Sequence, residues 1–204
     1  MRCVAARRLG GFTVVELAVT LLVLAILVRF AAPSMGTWIG NQRLRTSAES
    51  ILHGLAVARS EAMRRNARVL FVMNDAEGRS SWAVCPVAQG GLACDPLLPP
   101  ILVREGGEES GASRIGTSAD AASVASPTAF ATPLAPGEGM PAMVMFEGLG
   151  RTVAQAGWTN TVRFDARNLS LPAADERRLV VRVSPAGGAR MCDPRVAAGN
   201  PAAC

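Results

Sequence analysis

Between Phe12 and Ala32 the chain is almost continuously apolar, and this run constrains the fold more than any other feature. Its 21 residues would form a helix about 31 Å long at about 1.5 Å per residue, the thickness of one bilayer core. Arg2, Arg7 and Arg8 lie before it, which places that end in the cytoplasm and the rest of the chain across the membrane. A cleaved secretory signal has a shorter apolar core, about 7–15 residues, and a small-residue site after it. Phe30-Ala31-Ala32 fits such a site poorly. A plain membrane anchor fits the length but leaves Glu16 unexplained, because a carboxylate inside a membrane helix costs on the order of several kcal/mol unless it has a partner.

The residues around that carboxylate read Gly11-Phe12-Thr13-Val14-Val15-Glu16. They resemble the type IV prepilin (class III) signal: a short basic leader ending in Gly, then Phe, then Glu at the fifth mature position. The resemblance implies a prepilin peptidase/methyltransferase that cuts between Gly11 and Phe12 and methylates the new Phe12 amine. That amine would meet Glu16 of its own or of a neighbouring subunit, so that a buried ion pair replaces two isolated charges. Pro33 stands where the family commonly carries a helix-bending proline. Arg29 departs from the family pattern; near the outer end of the run, it can snorkel to the interface or, alternatively, pair with an acid on another subunit.

After Pro33 the helical period continues. Leu44, Ala48, Ile51, Leu55, Ala58 and Ala62 recur at alternating spacings of four and three, one apolar face of an amphipathic helix. The helix is expected to end near Asn66, a span of 55 residues counted from Phe12. Ala58-Arg59-Ser60-Glu61-Ala62-Met63-Arg64-Arg65-Asn66 resembles the helix end of the GspH/FimT-type minor pilins and type II secretion pseudopilins. Chemically these residues read as a solvated, charged helix end.

From Ala67 the period becomes strand-like. Expected strands are Val69–Met73, Ser81–Cys85, Ile101–Arg104, Met143–Phe146, Thr161–Phe164, Leu179–Ser184 and Ala189–Cys192. Residues 105–142, rich in Gly, Ala, Ser and Pro, read as a long, partly disordered loop. Phe146-Glu147-Gly148-Leu149-Gly150-Arg151 and the stretch from Leu179 to Cys192 resemble two further segments of the same family. The fold expected is α+β, with a long N-terminal transmembrane helix packed on a small, two-part antiparallel sheet, as in type IV pilins. The organisation expected is a leader (1–11), a membrane or filament-core helix (12–32), its amphipathic continuation (33–66) and an exported domain (67–204).

Cys3 would leave with the leader, so four cysteines remain in the exported part: Cys85, Cys94, Cys192 and Cys204. An even count in an exported domain favours disulfides. Of three connectivities, Cys85–Cys94 with Cys192–Cys204 is preferred because both close short local loops. A zinc site is disfavoured: no C-x₂-C pair exists, and the single histidine, His53, falls mid-helix.

The chain contains no phosphate-binding loop, no nucleophile elbow and no metal-ligand cluster, so no enzymatic activity and no cofactor are expected. All 21 basic residues are Arg; removing 1–11 leaves 18 against 16 acids, a net charge of +2 that argues against a nucleic-acid coat. The resemblance nevertheless implies an alternative, because some FimT-like minor pilins receive DNA through a "GRxR" element in the last hairpin. Here only Arg190 matches that element, with Arg182 and Arg195 nearby in sequence. The expected function is assembly with other major and minor (pseudo)pilins in the bacterial inner membrane, priming or capping a filament, with DNA as the alternative partner.

Overall fold

A computed structural model describes residues 12–106, 111–154 and 160–204; of 30–34 it describes the backbone only. The leader, including Gly11, and the side chain of Pro33 lie outside the described residues. One helix, α1 (Val14–Arg65), precedes eight strands: β1 (Val69–Met73), β2 (Trp82–Pro86), β3 (Leu102–Arg104), β4 (Ser113–Ser118), β5 (Ala142–Phe146), β6 (Arg163–Asn168), β7 (Leu179–Val183) and β8 (Ala189–Cys192). The chain forms two compact units, one ending at Trp38 and the other running from Ile39 to Cys204.

In the first unit no described side chain is buried. Val14, Leu17, Leu24 and Val28 are all more than half exposed. Among the described residues, which omit side chains 30–34 from the apolar run, no helix is long and apolar enough to cross a membrane.

The second unit is an α+β domain with two antiparallel sheets, ordered β3-β2-β1-β5 and β4-β6-β7-β8. The six helix residues picked out by spacing are all buried to 1% or less. They pack on the inward residues of both sheets, among them Val69, Phe71, Val84, Val144, Phe146, Phe164, Ala166 and Val181. Alternation along each strand explains the selection, since residues two apart share a face. Gly54 permits the close approach of helix and sheet: a Cβ there would stand 2.6 Å from the Phe71 ring. The Trp82 indole donates to Ser50 Oγ at 2.8 Å, which satisfies a buried donor beside the helix.

The outer faces of the sheets are covered too, and a disulfide sits in each cover. Leu70, Cys85 and Met145 form a small cluster outside the first sheet, joined by Val87, Leu92 and Cys94. Phe130, Val180 and Cys192 form its counterpart outside the second, joined by Val124 and Cys204. Cys85–Cys94 and Cys192–Cys204 are the bonds formed, with Cα separations of 5.4 and 5.0 Å. This is the pairing expected from loop length.

One expectation is corrected. Residues 105–142 are not one loop without structure: they contain β4, which pairs with β6 from Ser113↔Asn168 to Ser118↔Arg163, and two single-turn helices, Ala121–Val124 and Pro127–Phe130. Ser113, Ile115, Thr117 and Phe130 are buried. Composition misleads here because the buried face of β4 carries Ser and Thr beside its one large apolar residue. β6 also begins two residues later than expected and extends to Asn168.

Candidate functional site

At the start of α1, Thr13 Oγ1 accepts a hydrogen bond from the Glu16 backbone N–H at 3.2 Å. Thr13 is therefore the N-cap and Glu16 the third helical residue, the Thr-x-x-Glu spacing of a capping box. Sequence reading overlooked this local role, although the spacing alone carries it. Glu16 is also the acidic residue of the first turn, favourably placed against the helix dipole. Phe12 precedes it, 75% exposed.

The helix end brings together the three segments that carry the family resemblance. Asn66 leaves the helix at φ 46°, the left-handed conformation that ends helices. A Cβ at Gly148 would overlap the Asn66 side chain, so only glycine fits beside it. Arg59 donates from Nε to the Gly150 carbonyl at 3.0 Å and from Nη2 to the Ala186 carbonyl at 3.4 Å. One guanidinium thus fastens the turn after β5 and the β7–β8 hairpin to the helix. Glu61 accepts from Arg64 at 2.6 Å and Arg65 at 2.8 Å. Those two bonds, Arg64 first, hold its carboxyl down at about 2. The charged, solvated reading holds for Glu61 and Arg64 but not for Arg59 and Asn66, which are structural.

The three arginines singled out for nucleic-acid contact do not form one patch. Arg182 and Arg190 are cross-strand partners on β7 and β8. Arg182 donates to the Cys204 backbone oxygen at 2.8 Å and lies 5.6 Å from the Phe130 ring centre. Arg190 donates to the Ala203 carbonyl at 2.7 Å. Both therefore hold the tail that Cys192–Cys204 bonds to the sheet. Arg195 turns elsewhere, donating to the carbonyls of Ala173 and Ala174.

A buried charge cluster on β6 went unrecognised in the sequence. Arg163 (2% exposed) and Asp165 (fully buried) pair in fork fashion, Nε to Oδ1 at 2.7 Å and Nη2 to Oδ2 at 2.8 Å. Arg163 also donates to the carbonyls of Ala129 at 2.8 Å and Thr132 at 3.0 Å, and its guanidinium lies over Phe130. Asp165 accepts from the Leu134 N–H at 3.1 Å. The pair thereby fixes residues 129–134 over the outer face of the second sheet. Beside it, Glu176 accepts from the Asn168 N–H at 2.5 Å and from Arg167 at 3.5 Å. Arg178 donates to the Phe130 carbonyl; burial, with Arg163 and Arg167 nearby, pushes its guanidinium below the usual value. The signal available was the Arg-x-Asp-x-Arg alternation on one strand, with three charges on a single face.

Among the described residues no group of three or more His, Cys, Asp or Glu is placed to hold a metal ion. His53 is exposed on α1.

The profile of the family described as Type II transport protein GspH matches residues 47–187, more than half of the chain. That span includes the helix-end junction and all of β1 to β7. No curated protein matches. Among solved structures, the type IV minor pilin FimU of Pseudomonas aeruginosa is similar in two crystal forms. The first is 16% identical over 78% of this chain and 94% of that one, with a TM-score of 0.47. The second is 15% identical over 76% and 97%, with a TM-score of 0.45.

Proposed function

The chain belongs to the type II transport protein GspH family, a family of structural pilin-like subunits and not of enzymes, and from that premise we propose that it is a minor (pseudo)pilin that inserts among other pilins and helps to start or cap a filament. The observation that carries this reading is Glu16: a carboxylate in the first turn of a helix segment whose described apolar side chains are all uncovered. Contiguous exposed apolar surface on this scale calls for a cover, here lipid before assembly and neighbouring helices after it. An unpaired Glu16 within either cover is costly, and the amine of a mature N-terminus at Phe12 relieves that cost.

On this reading a prepilin peptidase cuts Gly11–Phe12 and methylates Phe12. The subunit then spans the inner membrane once through 12–32, N-terminus cytoplasmic, with the β-rich domain periplasmic. The two disulfides support that location, since such bonds persist in oxidising compartments. DNA reception draws no support from the geometry of Arg182 and Arg190, whose guanidinium groups already hold the tail.

Mass spectrometry of the chain recovered from cells that contain a prepilin peptidase tests the proposal. The expected N-terminus is Phe12 carrying one added methyl group. An intact Met1, or a cut near Ala32, overturns it.

A further inference from the structure

Phe130, Ala131, Pro133, Ala173 and Pro194, together with four charged residues, line a cleft of about 220 Å³ on the outer side of the second sheet. That is several times the share of about 30 Å³ taken by one water. Three guanidinium groups, of Arg167, Arg178 and Arg195, line it against one carboxylate, that of Glu176. The carboxylate is already engaged by the Asn168 N–H and by Arg167. Neither Arg178 nor Arg195 makes an ion pair among the described residues; each donates to backbone carbonyls instead. Arg167 Nε is buried and has no hydrogen-bond partner. Phe130 and Pro194 add apolar walls.

Three arginines against one carboxylate leave the cleft with an excess of positive charge, and Asp165 and Glu176 act on Arg178 only from beyond ion-pair distance. The planar fork of Arg matches oxyanions in particular. The cations converge on one small cavity and are not strung along a groove, so the shape fits a single compact group and not a nucleic-acid strand, which needs successive phosphate contacts.

We infer that this cleft is a binding site for one compact oxyanion group, a carboxylate or a phosphate, held by Arg167, Arg178 and Arg195. The group can come from an acidic side chain of a docking protein or from a small free anion. The inference is independent of the filament reading, because it concerns only the second unit.

Isothermal titration of the full chain in a non-ionic detergent, at constant ionic strength, tests it with two probes: inorganic phosphate and N-acetyl-glutamate amide. Saturable one-to-one binding of either is expected. Preference for the glutamate probe identifies the protein side chain as source, and preference for phosphate identifies the free anion. Arg195→Ala and Arg167→Gln should each weaken binding about tenfold, the loss of one charge-assisted bond. Arg45→Ala, on the exposed helix face where Arg45 pairs with Glu49, should leave it unchanged. Two-dimensional amide spectra establish that each variant is folded, and Arg195, being on the surface, keeps the test decisive if Arg167→Gln unfolds. Absence of saturable binding overturns the inference; so does binding to which folded Arg195→Ala and the wild type contribute equally.

Discussion

Arg163 and Asp165 stand two residues apart on β6, so their side chains leave the strand on the same face. In water such a pair would be worth little. Here both are buried, their forked bond is complete, and the remaining guanidinium hydrogens reach the carbonyls of Ala129 and Thr132. A buried pair is dangerous to break because the survivor keeps its desolvation cost and loses its counter-charge. Asp165→Asn is therefore expected to destabilise the folded domain by about 3–5 kcal/mol. Arg163→Lys, which retains the charge but not the planar fork, should cost about 1–3 kcal/mol. Urea unfolding of the full chain measures both as a shift in midpoint at constant slope. A change under about 0.5 kcal/mol for Asp165→Asn, the scale of an ordinary surface substitution, would show that the pair contributes nothing to stability.

At the scale of elements, α1 is held to both sheets by apolar packing along one face and by a polar junction at its end. The packing face was legible because Leu44, Ala48, Ile51, Leu55, Ala58 and Ala62 follow the helical period strictly, and period is a property of sequence. β4 was not legible: in Ser113-Arg114-Ile115-Gly116-Thr117-Ser118 a single large apolar residue marks the core, while Ser113 and Thr117 are polar yet buried. Thr117, for instance, donates to the Glu138 carbonyl at 3.1 Å. For the β6 charges the alternation put Arg163, Asp165 and Arg167 on one face, but their burial was not legible, since the cover arrives from residues about thirty positions earlier. The junction shows why the family segments are spaced as they are. Gly187 lies at φ 79°, and a Cβ there would overlap the Gly150 carbonyl, next to the guanidinium of Arg59. Gly187→Ala should destabilise by about 1–3 kcal/mol through strain alone. Gly188→Ala, where the nearest atom to a new Cβ is Ser184 Oγ at 3.3 Å, should stay within about 0.5 kcal/mol. Thermal unfolding of the two variants side by side checks this, and equal effects would remove the junction from the account.

For the whole molecule, the question is what Glu16 does, because two physical roles compete for one side chain. Its backbone N–H already bonds Thr13 Oγ1, and in the capping-box pattern its carboxylate would in turn accept from the Thr13 N–H. As the partner of a processed Phe12 amine it would join subunits. The roles differ in what they require. A capping box accepts Gln as readily as Glu, whereas an ion pair needs the negative charge. Glu16→Gln therefore separates them where Glu16→Ala does not. If docking is the role, Glu16→Gln is expected to be cut after Gly11 as efficiently as the wild type, to keep the same helix content by circular dichroism, and yet to be lost from filaments isolated with the other subunits. The loss should be tenfold or more, since leaving a buried amine unpaired costs about 3–5 kcal/mol and each 1.4 kcal/mol is a factor of ten. Quantitative immunoblotting of the filament fraction against the membrane fraction gives the ratio directly. Recovery of Glu16→Gln at the wild-type level would assign the carboxylate to the helix cap and leave the assembly reading without its central residue.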